Sequence, residues 1–206
     1  MTKVSKKVPR KKASRQLLYI VVSFAIGLAG ITGLAYFLLP ERGDLGSPTL
    51  GGGSSTMIRQ DGRVVTNADL AGHPYLVFFG YTHCPDFCPT TLFDISAVFK
   101  ELGPDKKVAA LFVTVDPARD TPEILKTYLE NFDSRIIGVT GDPAKTEAIA
   151  KAFRVFAEKV PGEKPGDYTV DHTGIVYLMD KRDRLVSAFN LSRRPQQAAR
   201  ELERYL

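Results

Sequence analysis

Cysteine and histidine are scarce in this 206-residue chain, which has two cysteines, Cys84 and Cys88, and three histidines, His73, His83 and His172. An iron–sulfur cluster held by four thiolates is therefore excluded, and so is an all-cysteine zinc site. Acidic residues are missing from positions 1–15, and charge of either sign is missing from Leu17 to Leu39. Internal repeats are missing, as is any basic stripe with interleaved aromatics, the footprint of a nucleic-acid face. The formal charge of +5 does not restore such a face. Without the seven basic residues of the first fifteen positions, 21 Lys and Arg oppose 23 Asp and Glu, a net of −2.

What the N-terminus does contain is a cationic flank, residues 1–16, followed by 23 uncharged residues, 17–39. At 1.5 Å rise per residue that run covers roughly 35 Å, enough to cross a bilayer with some tilt. It ends in Leu38-Leu39-Pro40-Glu41-Arg42 and not in a small-residue cleavage site, so the expectation is an uncleaved transmembrane signal anchor. The basic flank stays on the cytoplasmic or matrix side and the rest of the chain lies opposite. A short basic leader without a long transit segment favours the bacterial cytoplasmic membrane, with the domain in the periplasm; the alternative is the mitochondrial inner membrane, facing the intermembrane space. Residues 40–55, rich in Gly, Ser and Pro, read as a flexible linker. Residues 56–206 are long enough for one domain with its own core.

Within that domain, Ile58 to Val65 with Asp61-Gly62 at its centre predicts a hairpin. Leu76 to Phe79 and Val108 to Val115 read as strands covered on both faces. Between them, Leu92, Ile95, Phe99 and Leu102 recur at helical spacing, placing Cys88 at or near a helix start. Asp120-Thr121-Pro122-Glu123 and Asp142-Pro143 carry helix-start signals, the second followed by an apolar stripe of Ile149, Ala152, Phe153 and Phe156. Ile136 to Val139 is a further strand, and Glu158 to Asp167 a polar loop. Two strands, Ile175 to Met179 and Leu185 to Phe189, precede a closing helix from Pro195 to Tyr205. Alternating strands and helices predict an α/β fold with a mixed central sheet, and a cysteine pair between the first buried strand and its helix is the thioredoxin-like arrangement.

The cysteines admit three readings. A structural disulfide enclosing three residues would constrain the unfolded chain little. A redox couple is favoured by thiols at a helix N-terminus, where thiolate is stabilised. The spacing, however, is C-x3-C and not C-x-x-C, and Val170-Asp171-His172 stands where thioredoxins place a cis-proline. A metal site needs a third ligand. His83 adjoins Cys84, so its ring is expected to point away from the sulfurs, and His73 sits in a polar turn. His172 precedes a buried strand in the position that a thioredoxin-like fold brings across from the cysteine helix. Two sulfurs and one imidazole make a compact soft site, suited to Cu(I), and an open edge suits an ion that is passed onward. Asp86 and Asp116 are weighed as turn or capping acceptors against roles beside the sulfurs.

The motifs "FFGYTHCPDFCPTTL", "VTVDPARDTPEILKTYLENF" and "DYTVDHTGIVYLMD", in this order, resemble the Sco/SenC family of membrane-anchored copper chaperones for cytochrome c oxidase. The resemblance covers roughly residues 56–206 and the anchor topology. It implies a thioredoxin-like domain that binds one copper ion per chain, as Cu(I) or Cu(II), through Cys84, Cys88 and His172. It also implies a part in building the copper A centre of oxidase subunit II, by copper delivery, by thiol reduction, or by both. An upstream copper donor and a thiol reductant are then further partners. Gly174 stands where family members often carry a bulkier apolar residue. The alternative from a different class is a thiol-disulfide oxidoreductase using Cys84 and Cys88 without obligatory metal; a thiol peroxidase has the weaker motif match.

Overall fold

The computed structural model describes residues 19–27, 30, 57–65, 67–70 and 72–206. The chain divides into two units, Met1–Leu45 and Gly46–Leu206. In the first, residues 19–27 are helical with exposed side chains, including Tyr19, Phe24 and Ile26. The rest of the expected span 17–39, the flank 1–16 and the linker 40–55 lie outside the described residues. Among those described, no helix is long and apolar enough to cross a membrane.

The second unit has the expected α/β order, a mixed thioredoxin-like sheet with helices on both faces. Its elements are β1 (Met57–Arg59), β2 (Val64–Val65), α1 (Asn67–Leu70), β3 (Tyr75–Gly80), α2 (Phe87–Leu102), β4 (Ala109–Thr114), α3 (Pro122–Leu129), β5 (Ile136–Thr140) and α4 (Pro143–Ala152). There follow β6 (Ala157–Pro161), β7 (Tyr168–His172), β8 (Val176–Met179), β9 (Leu185–Ala188) and α5 (Pro195–Glu203). The main sheet runs β2-β1-β5-β4-β3-β8-β9, and β6 and β7 form a separate two-stranded sheet. Strands β3, β4 and β5 are parallel, as helical crossovers require, while β8 runs antiparallel beside β3.

Every residue of β3 and β4 is buried, the mark of central strands covered on both faces. Alternation then splits the core in two. Leu76 and Phe78 of β3 point into a cluster with Leu92, Ile95 and Phe99 of α2, Leu125 of α3 and Leu202 of α5. Tyr75, Val77 and Phe79 point the other way, against Ile149 and Ala150 of α4 and the following Phe153. Helix starts follow the sequence signals. The Thr121 hydroxyl accepts from the Ile124 N–H at 3.3 Å, and the Asp142 carboxylate from the Ala144 N–H at 2.9 Å. The β1–β2 turn contains Gly62 at φ 80°, a conformation that L side chains resist.

Two expectations fail locally. The stripe assigned to α4 does not reach Phe156: Arg154 takes a left-handed φ of 56°, which ends the helix, and both Ala152, the last helical residue, and Phe156, beyond the end, are exposed. The segment 158–167 is not simply a polar loop. Ala157–Pro161 is a strand paired antiparallel to Tyr168–His172, with Ala157 opposite His172.

Candidate metal centre

The sheet itself brings the three expected ligands together. Strand β3 ends at Gly80 and leads into the cysteine loop; β8 begins at Val176, paired with Phe78, at that same end of the sheet. His172, four residues before Val176, is therefore delivered beside the loop. The Cys88 sulfur lies 3.3 Å from His172 Nε2, and the Cys88 N–H donates to the Cys84 sulfur at 3.3 Å. Cys84, Cys88 and His172 each present a donor atom within 4.8 Å of the others. For ligand distances of about 2.0–2.3 Å, closing onto one ion needs movement of roughly an ångström.

Both cysteines are free thiols, Cys84 half-buried and Cys88 fully buried in the first turn of α2. This location overturns one expectation from the sequence. A helix N-terminus favours thiolate, but burial of Cys88 pushes its thiol up. Burial also holds the His172 imidazole below its ordinary range. Its Nδ1 lies 3.2 Å from the Thr173 carbonyl and donates to it, so Nε2 is left as the acceptor facing the Cys88 S–H. The metal-free site is thus a neutral thiol–imidazole pair.

An aromatic wall surrounds this imidazole. Tyr81, Phe87 and Phe78 approach its centroid edge-on at 5.8, 6.1 and 6.2 Å. The Phe87 ring occupies the space in front of Gly174, where a Cβ would collide with it. A bulkier residue at 174 would thus displace the ring beside His172, which agrees with a packing role for this position.

Gly80 is equally constrained. A Cβ there would lie 2.6 Å from the Phe112 ring and 2.8 Å from the Cys88 sulfur. Gly80→Ala is expected to destabilise the fold by about 1–3 kcal/mol through overpacking and to push Cys88 off its position. Chemical denaturation of the reduced protein checks this, and an unchanged midpoint contradicts it.

The remaining candidates fall outside the ligand group. His83 is half-exposed, with Nδ1 3.1 Å from the Thr82 hydroxyl. His73 lies in the turn after α1. Asp86 occupies the position before α2, but its side chain makes no capping bond. Asp116 is fully buried, and its carboxylate accepts from the Tyr168 hydroxyl and the Arg119 Nε instead of capping the next turn. Sequence reasoning missed Asp120. This buried carboxylate accepts from the Thr82 N–H at 3.1 Å, the Thr82 hydroxyl at 2.6 Å and the Thr114 hydroxyl at 2.6 Å, tying the cysteine loop to the end of β4. The signal for it was the second acid in "VDPARDT", read from the sequence only as part of a helix start.

A thioredoxin-like α/β domain with two thiols and an imidazole converging at the end of its central strand defines a class of soft-metal and thiol-redox proteins. Comparison with known proteins narrows it. The family model described as SCO1/SenC matches residues 44–206, and the chain belongs to this family. The copper-bound structure of Bradyrhizobium japonicum ScoI is 52% identical, covering 76% of this chain and 99% of its own, with a TM-score of 0.72. Copper-bound yeast Sco1 is 32% identical, covering 75% of this chain and 87% of its own, with a TM-score of 0.67. An SCO2-like protein of Rickettsia prowazekii (strain Madrid E) is 34% identical over 182 residues, 84% of this chain and 89% of the relative. The homologous structures are thus copper-bound Sco proteins, and the cysteine–cysteine–histidine group here is suited to copper.

Proposed function

We propose that this protein binds one copper ion through Cys84, Cys88 and His172 and serves the assembly of cytochrome c oxidase, by delivering copper to the copper A site of subunit II, by reducing that subunit's cysteines, or by both. The convergence of the three donor atoms within 4.8 Å carries the reading. Two sulfurs and one imidazole select a soft ion, and the half-buried Cys84 leaves an edge through which a partner's ligands can exchange with it. The copper is cargo, and the thiols must be reduced to take it, since a disulfide offers no thiolate. An upstream copper donor and a thiol reductant complete the cycle. Residues 17–39 act as the membrane anchor and 40–55 as the tether, holding the domain on the periplasmic side of a bacterial cytoplasmic membrane.

Thiol-disulfide exchange without metal is a second reading, favoured by the proximity of two free thiols. Mixing the full chain with the copper-free copper A domain of subunit II under anaerobic conditions separates the two. After chromatographic separation, copper and free thiols are counted on each protein. Copper on subunit II is the expected result for the Cu(I)-loaded chain. Disulfide reduction by the metal-free dithiol chain, with no copper movement from the loaded one, would select the reductase. The absence of both copper movement and thiol reduction would contradict the function.

A further inference from the structure

The strand pair that carries His172 does not belong to the main sheet. Strand β6 is exposed along its whole length, and the pair is backed in part by a cleft of about 430 Å³ lined by Phe156, Ala157 and Val170 on the hairpin side and by Pro117 and Ala118 opposite. A hairpin held this loosely needs specific ties to present an imidazole to a buried sulfur.

We propose that Asp116, Arg119 and Tyr168 form a latch that holds this hairpin against the body of the domain, and that the latch sets how firmly His172 retains copper; this rests on the copper reading above. Tyr168, Val170 and His172 alternate along β7 and so face the same side. At one end the Tyr168 hydroxyl donates to Asp116 at 2.8 and 3.1 Å. In the middle Val170 is buried in the core, and its N–H donates to the Tyr81 hydroxyl at 3.2 Å. At the other end His172 meets Cys88. Fixing Tyr168 therefore fixes the register of the imidazole.

Arg119 closes the latch from the body side. Its Nε donates to Asp116, its Nη1 donates to the Tyr168 carbonyl at 3.0 Å, and its guanidinium lies 3.7 Å from the Tyr168 ring centroid. Lys159 of β6 adds a charge 3.8 Å from Asp116 and 4.4 Å from that ring centroid. Asp116 is wholly buried, so lifting the hairpin would strip a desolvated carboxylate of Tyr168 and Lys159 together. The closed position is the default. Arg119 and Tyr168 bond to Asp116 and to each other, so they act on the imidazole through the hairpin and are positioning residues.

The test uses the full chain, purified in detergent, with Arg119→Lys and Tyr168→Phe. Lysine keeps the charge but loses the planar fork. Copper loss from the Cu(I)-loaded protein to excess bathocuproine disulfonate is expected to accelerate about tenfold in Arg119→Lys and a few-fold in Tyr168→Phe. In a His172→Ala background, where retention is measured at low chelator, neither change should alter the rate further, because the latch acts through His172. A metal-free readout runs alongside. In the reduced protein, amide hydrogen exchange at Val170, Asp171 and His172 should quicken about tenfold while β3 and β4 stay unchanged. Unaltered exchange in β7 in both variants would overturn the latch. So would an equal acceleration of copper loss in the His172→Ala background, which would show a general structural role. Wild-type protein that retains no copper would defeat the copper reading and leave the exchange measurement to decide the latch.

Discussion

Cys88→Ser is expected to weaken copper retention against a Cu(I) chelator by at least about a hundredfold, since loss of a ligand exceeds the 10–100-fold typical of losing a ligand's supporting contact. The sulfur is fully buried and 3.3 Å from His172 Nε2, and a serine oxygen is a poor match for a soft ion. The same burial makes retention depend on pH. The thiol is pushed up and stays protonated at neutral pH, so copper must displace its proton. Retention therefore falls as pH falls, by up to about tenfold per pH unit for each proton displaced. The imidazole is held below its ordinary range, so it remains available as a ligand to lower pH than an exposed histidine would. Competition titrations with a chelator whose own protonation is known check this. Retention that does not change with pH, or a Cys88→Ser protein that holds copper like wild type, contradicts the assignment.

Asp120→Ala should be the most damaging single change beside the site, destabilising the reduced, metal-free fold by about 3 kcal/mol. Asp120 is wholly buried and accepts from the Thr82 N–H and from the hydroxyls of Thr82 and Thr114, and truncation leaves these donors unpaired in a dry region. Thr114 is engaged further, because its hydroxyl also accepts from the Asp116 N–H at 2.9 Å. The loss thus spreads from the cysteine loop to the loop after β4. Asp120→Asn keeps the shape and should cost less. Urea denaturation followed by circular dichroism measures both, and a cost under about 1 kcal/mol for the alanine variant would show that these bonds contribute little.

The framework of the fold was legible in sequence because its signals are local. Continuous apolar runs marked β3 and β4, and Thr121 and Asp142 cap the helices that their neighbouring prolines suggested. The cysteine loop was placed correctly between β3 and α2, and His172 does lie across from it. The β6–β7 hairpin escaped because its first strand is exposed on both faces, so it lacks the alternation that marks a half-buried strand. Phe156 misled in the opposite sense: it continues an apolar period past the residue where a left-handed Arg154 ends the helix. Burial is the harder quantity to read. A cysteine at a helix start suggests a low thiol pKa, and only the burial of Cys88 in the folded chain reverses the sign. Asp116, Arg119 and Tyr168 likewise meet only in the folded chain, with Tyr168 far along the sequence from the two residues it joins.

Copper bound per chain after chelator challenge, for wild type and His172→Ala loaded anaerobically in the fully reduced state, tests the three-ligand site most directly. With chelator in large excess, the expected result is one copper retained per wild-type chain and none in the variant, with both denaturing at similar urea concentrations. Equal retention in the two would remove His172 from the ligand set, and no retention in either, with both thiols intact, would contradict the copper site itself.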